Sequence, residues 1–432
     1  MEENGIVHLW ELPEKEVYMK LKKSVERKLF STVLSYFKTQ KNLAERLGIS
    51  ERVIQKIRNG KTQTYSLMLL KNISLLLGEY NKMFDIRKLE KEIFYLRTKG
   101  STSGKLYFPK FPINFNCFEG GVVIGGLFGD GGLRKDLRPF YANRDRKRIK
   151  EFVRSLRKVV GSFKVSGVTK TYSPTKEGSI TYSCDLPKII GIILHYGLGI
   201  KRGDKVIHDP PLPSFCFKAS PEFKRGLLMT FFTDESAPHP TGRDRFPQIT
   251  FRQAALLKNT NFPKRVLGIK SLLEGLGFKP ITFLEDVYCG KNGKVGVFNL
   301  SLSKFDDVIR FFNEIGFSSK IKSRKLKELL QKSRRKTSRE DYLFKKRIDS
   351  LLPIFHAIQL LLKENKEITS SNISQLIGKP REHVRQVLNR LVRLNVLELK
   401  EKGIPLNGRG RSCDIFKVGK MWHSYFIFLS SS

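Results

Sequence analysis

One nine-residue pattern, present twice, constrains this chain more than any other feature. The first copy is Val123-Ile124-Gly125-Gly126-Leu127-Phe128-Gly129-Asp130-Gly131, and the second is Leu228-Met229-Thr230-Phe231-Phe232-Thr233-Asp234-Glu235-Ser236. Each is a short apolar run that closes on an acid and then a glycine or serine. Such a run predicts a helix whose last turn delivers a carboxylate to an edge. The acids Asp130 and Glu235 lie 105 positions apart, and similar patterns follow both. A basic, aromatic, strand-like stretch at 133–143 precedes an amphipathic run at 146–160. In the second copy, 243–252 precedes 264–276. A duplication of this size predicts two half-domains packed about a pseudo-twofold axis, and so a monomer with internal symmetry.

The 432 residues exceed what one core normally serves, so two to four domains are expected. Lys and Arg number 81 against 41 Asp and Glu, a net charge of +40. That excess calls for a polyanionic partner, nucleic acid before all others. A membrane is not expected as partner, because no apolar run reaches the roughly 18 residues that span a bilayer. The longest, 189–200, is broken by His195 and glycines, and the first 13 residues are acidic rather than signal-like. Five scattered cysteines without a C-x-x-C pair argue against zinc or a disulfide framework and fit a reducing cytoplasm. No small-molecule cofactor is expected.

Apolar positions in 14–37 follow helical spacing through Val25, Leu29, Phe30, Val33, Leu34 and Phe37. In the run that follows, Gln40 is first, Ala44 fifth, Gly48 ninth and Ile54 fifteenth. A small residue at a helix crossing, a glycine in the turn and a branched residue to pack the second helix are the spacing of a helix-turn-helix. The run resembles Cro-type repressors, including Gly60-Lys61 and the helical stretch 66–77. That resemblance implies an all-α DNA-binding domain over 14–98. In it Glu51, Arg52, Gln55 and Lys56 face the major groove while Gln40 touches phosphate. A plain amphipathic helix pair is the blander alternative.

A polar break at 101–104 reads as a domain boundary. Within the duplicated region, 185–213 holds an apolar helix at 189–196 and a loop with Pro210, Pro211 and Pro213, suited to joining two halves. Strand signals fall at 161–171, 179–184, 281–288 and 294–300, and Asn292-Gly293 is a strong hairpin turn. Alternating Lys, Arg, Thr and Ser give these strands a polar face, either solvated or laid along a DNA groove. Arg134, Arg138, Arg243 and Arg252 are its candidate DNA contacts. The segment 319–347 is strongly basic, an exposed linker or helix that could meet phosphates. Beyond it, helical runs at 355–362, 371–377 and 380–394 precede strand signals at 396–400 and 414–418. Val384, Val387, Leu388 and Leu391 face inward, leaving Arg381, His383, Arg385, Gln386 and Arg390 outward. With Arg409 and Arg411 at the tip of a wing, 348–420 resembles a winged helix, a module that binds DNA or protein.

The two nine-residue copies resemble the motifs of the LAGLIDADG homing endonucleases, whose eighth position is the catalytic carboxylate. Asp130 and Glu235 fall there. The family's small residues at positions two, three and seven let two motif helices pack backbone to backbone. This chain keeps Gly125 and Gly129 but has Ile124 in the first copy and Met229, Thr230 and Asp234 in the second. The resemblance covers 105–318, with halves at 105–212 and 213–318. It implies an α+β fold, a duplicated αββαββα-type saddle domain, here flanked by the helix-turn-helix and winged-helix modules. It also implies double-stranded DNA as substrate, and Mg²⁺ or Mn²⁺ held by Asp130 and Glu235, since hard cations take oxygen ligands. A basic residue near each site is implied too, for which Lys294 and Lys176 are candidates. A transcriptional regulator that keeps the domain for DNA binding alone is the competing reading. An RNA-binding role lacks an aromatic RNP-like run or a Gly-x-x-Gly clamp.

Overall fold

The structure is a computed structural model that describes residues 4–59, 64–78, 84–100, 104–165, 167–172, 180–241, 246–257, 262–290, 293–333, 342–393, 396–401, 414–419 and 422. The chain forms two compact units, 1–235 with 315–318, and 236–314 with 319–432.

In the first unit, the helix Phe118–Phe128 carries the first motif and is buried from Gly120 to Phe128. Four glycines in eleven residues would ordinarily disfavour a helix, at roughly 1 kcal/mol each relative to Ala. Close approach to a second helix, Pro221–Glu235, explains Gly121 and Gly125, while Gly120 lies against the Phe115 backbone and Gly126 against the rings of Phe152 and Tyr141. A Cβ on Gly121 would lie 2.1 Å from the Phe223 carbonyl oxygen, and one on Gly125 would lie 2.4 Å from that of Leu227. From the other side, a Cβ on Gly226 would lie 2.3 Å from the Phe118 carbonyl oxygen. The contacts are reciprocal: Gly121 meets Phe223 and Leu227, while Gly226 meets Phe118 and Val122. Each residue and its counterpart differ by the same 105 positions as the two acids. A local twofold therefore relates the helices. Although the second copy lacks the small residues at motif positions two, three and seven, Gly226, two residues ahead of the motif, supplies the close approach.

The strands after the first helix are Gly131–Leu133, Pro139–Asn143, Val168–Tyr172 and Ile180–Asp185. They form an antiparallel sheet in the spatial order third, fourth, second, first. Helix Arg146–Val160 joins the second to the third, and Lys188–Ile192, continuing as a π-helix over Ile193–Gly197, follows the fourth. In the second unit the strands Ser236–Thr241, Phe246–Leu256, Ile281–Gly290 and Gly293–Leu302 are ordered first, second, fourth, third. That is the same topology read from the opposite edge. Lys264–Gly275 joins its second strand to its third, and Phe305–Arg310 again runs into a π-helix, Phe311–Ile315. Both copies thus run αββαββα, a mixed helix-and-sheet architecture.

The all-α domain expected over 14–98 is not all helical. Val17–Leu21 is a strand with alternating burial, paired to Ile93–Thr98 and Tyr65–Ser66 in a five-stranded sheet. Its residues alternate with period two, and helical spacing starts only further on, so the helix begins at Lys23. The sheet also crosses the expected boundary at 101–104, because Ile93–Thr98 pairs with Leu106–Tyr107.

Two helix pairs share one local grammar. Thr39 accepts a hydrogen bond from Asn42 N, helix Gln40–Leu47 ends on left-handed Gly48, and Glu51–Arg58 follows. In the second unit Thr369 accepts from Asn372 N, Ser370–Ile377 ends on left-handed Gly378, and Arg381–Arg393 follows. The threonine caps satisfy an orphan backbone donor, and the glycines adopt positive φ without strain. Ile54 and Val384 are fully buried at matching positions. In that second unit the basic segment 319–347 is largely helical where described, in Lys320–Ser333 and at the start of Tyr342–Lys363. Among the described residues, no helix is long and apolar enough to cross a membrane.

Candidate active site at the twin helix ends

Asp130 follows the end of the first motif helix, and Glu235 is the last residue of the second. Asp234, the counterpart of Gly129, reaches between them. A Cβ on Gly129 would lie 2.9 Å from Asp234 Oδ2, so the glycine in one copy makes room for the carboxylate of the other.

The Asp234 side chain has no exposed surface. Tyr141 OH donates to both of its oxygens at 2.8 and 3.0 Å, and Arg148 reaches Oδ1 at 3.2 Å. Asn143 Nδ2 donates to Asp130 Oδ2 at 2.7 Å and to Asp234 Oδ1 at 3.3 Å, tying the two acids together. Asn143 Oδ1 accepts from Asp145 N, which fixes which way its amide points. Arg148, itself buried, also pairs with Glu151 at 2.6 Å and with the Ser318 hydroxyl.

Burial pushes the Asp234 carboxyl above the usual range and the nearby Glu235 adds to the rise, while Arg148 and the Tyr141 hydroxyl pull it back. Burial and then the Asp234 charge raise the Tyr141 phenol far above its ordinary value, keeping it a donor. Burial opposes the Arg148 charge, but Tyr141, Asp234 and Glu151 outweigh it and raise its pKa.

Asp130 and Glu235 are half-buried at the two helix ends. Among the described residues, the Glu235 carboxylate makes no hydrogen bond. One Asp130 oxygen is oriented by Asn143. Carboxylate oxygens are the donor type that hard divalent cations take, and among the described residues no group of three or more His, Cys, Asp or Glu side chains gathers to hold a metal ion. Lysines cap the neighbouring backbone. Lys205 Nζ lies 3.4 and 3.3 Å from the Leu127 and Phe128 carbonyl oxygens and also donates to that of Gly129, closing the end of the first motif helix. In the second unit Lys322 donates to the carbonyl of Ser236, the residue after Glu235. Neither lysine was visible as a candidate in the sequence, since each is far along the chain from the carbonyl it meets.

Lys294 is exposed at the start of its strand. Ser236 pairs with Phe251, and Phe251 with Leu300, six residues along that strand from Lys294. At about 3.4 Å per residue the separation is about 20 Å, so this sheet does not bring Lys294 beside the residue that follows Glu235. Lys176, Arg243, Arg409 and Arg411 lie outside the described residues. Arg134 pairs with Asp185 at 2.8 Å and covers the Phe140 ring, Arg138 pairs with Asp136 at 2.9 Å, and Arg252 pairs with Glu285 at 3.0 Å. All three are exposed, in pairs that contribute little to stability. Arg52, Gln55 and Lys56 are exposed opposite buried Ile54 and Ile57, with Gln40 half-buried at the start of the preceding helix. Arg381 and Arg385 are exposed on Arg381–Arg393, and Arg385 pairs with Glu382 at 2.9 Å. Arg390 belongs to the same helix, and its side chain lies outside the described set.

A duplicated αββαββα chain with acids at the paired helix ends is the class that fold and site define. Solved structures similar to the chain are homing endonucleases. A structure of mesophilic variants of I-DmoI matches 47% of this chain and 96% of its own, at 13% identity and a TM-score of 0.29. I-DmoI in complex with DNA and Mn matches 48% and 99%, at 14% identity and 0.30. I-WcaI bound to its DNA recognition sequence matches 48% and 85%, at 12% identity and 0.29. Likeness at these scores sets neither the fold nor the function of this chain. No protein-family profile matches it, and no curated protein does.

Proposed function

We propose that the chain is a site-specific double-stranded DNA endonuclease that hydrolyses phosphodiester bonds with a divalent cation, acts as a monomer, and uses two helix-turn-helix modules to hold its target. One observation carries this reading: two helices related by a local twofold have an acid at or just past their last turn, and the 105-residue offset of the acids is also that of the packing contacts. Asp130 and Glu235 would hold Mg²⁺ or Mn²⁺. Such a cation activates water and neutralises charge on the scissile phosphate. Asn143 orients the Asp130 carboxylate, and the Asp234–Tyr141–Arg148 cluster fixes the end of the second helix. Lys205 holds the carbonyls that precede Asp130. The exposed faces bearing Arg52, Gln55 and Lys56, and Arg381 and Arg385, would meet DNA, with the basic helices of 320–347 on phosphate.

The shared grammar of the two helix pairs favours a second reading, a transcriptional regulator whose motif core serves for DNA binding alone. Incubation with a randomised duplex library, in Mg²⁺, Mn²⁺ or EDTA, separates the two. The endonuclease reading expects cut ends that converge on one sequence and form only with metal. Selective binding without cutting in any metal would leave the regulator, and neither binding nor cutting would contradict both.

A further inference from the structure

Two basic grooves of the first unit meet at a pair of exposed aromatic rings. Phe108 and Phe94 are 56% and 37% exposed, and their rings stand edge to face 5.2 Å apart. Phe108 N donates to the Phe94 carbonyl at 2.8 Å, joining the backbones that carry the two rings. On one side, Lys110, Lys150, Arg154, Arg157 and Lys158 line a groove with Phe108. On the other, Lys20, Lys22, Lys23, Arg27 and Arg58 line a groove with Phe94. Some of these cations are engaged, Lys20 with Glu26, Lys22 with Glu92 and Lys158 with Glu119. Lys23, Arg27, Arg58, Lys150 and Arg154 make no ion pair among the described residues.

Phe108 also has φ 47, a left-handed conformation that a bulky residue adopts only at a cost. More than half of its surface is in water, so burial does not compensate. The backbone holds an apolar ring outward between two rows of positive charge.

We propose that this surface binds single-stranded DNA, with unpaired bases stacked on Phe108 and Phe94 and the backbone phosphates running into the two grooves. Aromatic faces accept any unpaired base, and flanking cations follow the phosphates without reading sequence. A duplex cannot use the rings, because its bases are already stacked and paired. Stacking on aromatic side chains and neutralising phosphates require no ribose hydroxyl, so DNA suffices. The surface is separate from Asp130 and Glu235, and the proposal stands whether or not the chain cuts duplexes.

The test is fluorescence anisotropy on the full chain, in EDTA, with a labelled oligothymidylate, a labelled duplex and an oligouridylate of equal length. Phe108→Ala should weaken oligothymidylate binding about fivefold to a hundredfold, the range for one lost stack, and leave the duplex unchanged. Arg154→Glu should weaken oligothymidylate as well. Phe108→Trp should keep affinity, and its indole should be quenched by oligothymidylate and not by duplex. Equal losses on both DNAs, no loss on either, an unquenched indole, or binding confined to the uridylate would each overturn the proposal.

Discussion

At Asp234 an acid stands where the first copy has glycine, and three donors from one half of the duplication converge on it. Burial and the Glu235 charge raise its pKa, so the folded chain holds that proton more tightly than the unfolded chain. Its contribution to stability is therefore fully present below the ordinary Asp pKa and is lost as pH rises through the raised value. Asp234→Asn keeps the shape and cannot titrate. Melting temperatures across the acid range should show the variant gaining on the parent as pH rises; a variant that loses ground would mean that Arg148 depresses the carboxyl instead. At the helix crossing, Gly121→Ala drives a methyl into the Phe223 carbonyl and should cost about 3 kcal/mol by chemical denaturation. The same change at Gly48, where a Cβ would meet nothing within 4 Å, is disfavoured only by its φ of 63°. The two acids were legible because an apolar run closing on a carboxylate repeats. Asp234 was not, since an acid beside an acid carries no pattern, and neither was Lys205, brought to the helix end by tertiary folding alone.

Among elements, those with a strong local signal formed close to where the spacing put them. Arg146–Val160 is the amphipathic run itself, and Lys264–Gly275 differs from its run by one residue. Hidden elements had weak or competing signals. Val17–Leu21 is five residues long and precedes a helical run, and Gly226 lies outside the nine-residue motif. The helix Tyr342–Lys363 begins well before the expected 355 and carries Pro353 inside it, although an internal proline removes one backbone hydrogen bond. The recognition-helix reading makes its own prediction at this scale. Arg52→Ala or Gln55→Ala should relax sequence preference at roughly 1–3 kcal/mol per lost base contact, whereas Lys325→Ala, at an exposed position of helix Lys320–Ser333, should weaken all duplexes alike. Binding profiles on a panel of duplexes distinguish the two patterns, and one uniform loss from every variant would contradict the assignment.

For the whole molecule, the proposed function joins the net charge of +40 to the repeated αββαββα topology: a basic chain would meet a polyanion through duplicated parts. Charge and repeat were open to reading in the sequence, but the division into compact units was not. It falls between Glu235 and Ser236, inside the second motif, and leaves the second motif helix in the same unit as the first, on which it packs. The central claim is that the two helix-end acids perform metal-dependent cutting. Asp130→Asn and Glu235→Gln, each assayed with Mg²⁺ on the selected duplex beside a binding titration, test it most directly. The account predicts that both variants fold and bind as the parent does and that neither cuts; cutting by either variant at the parent rate would contradict it.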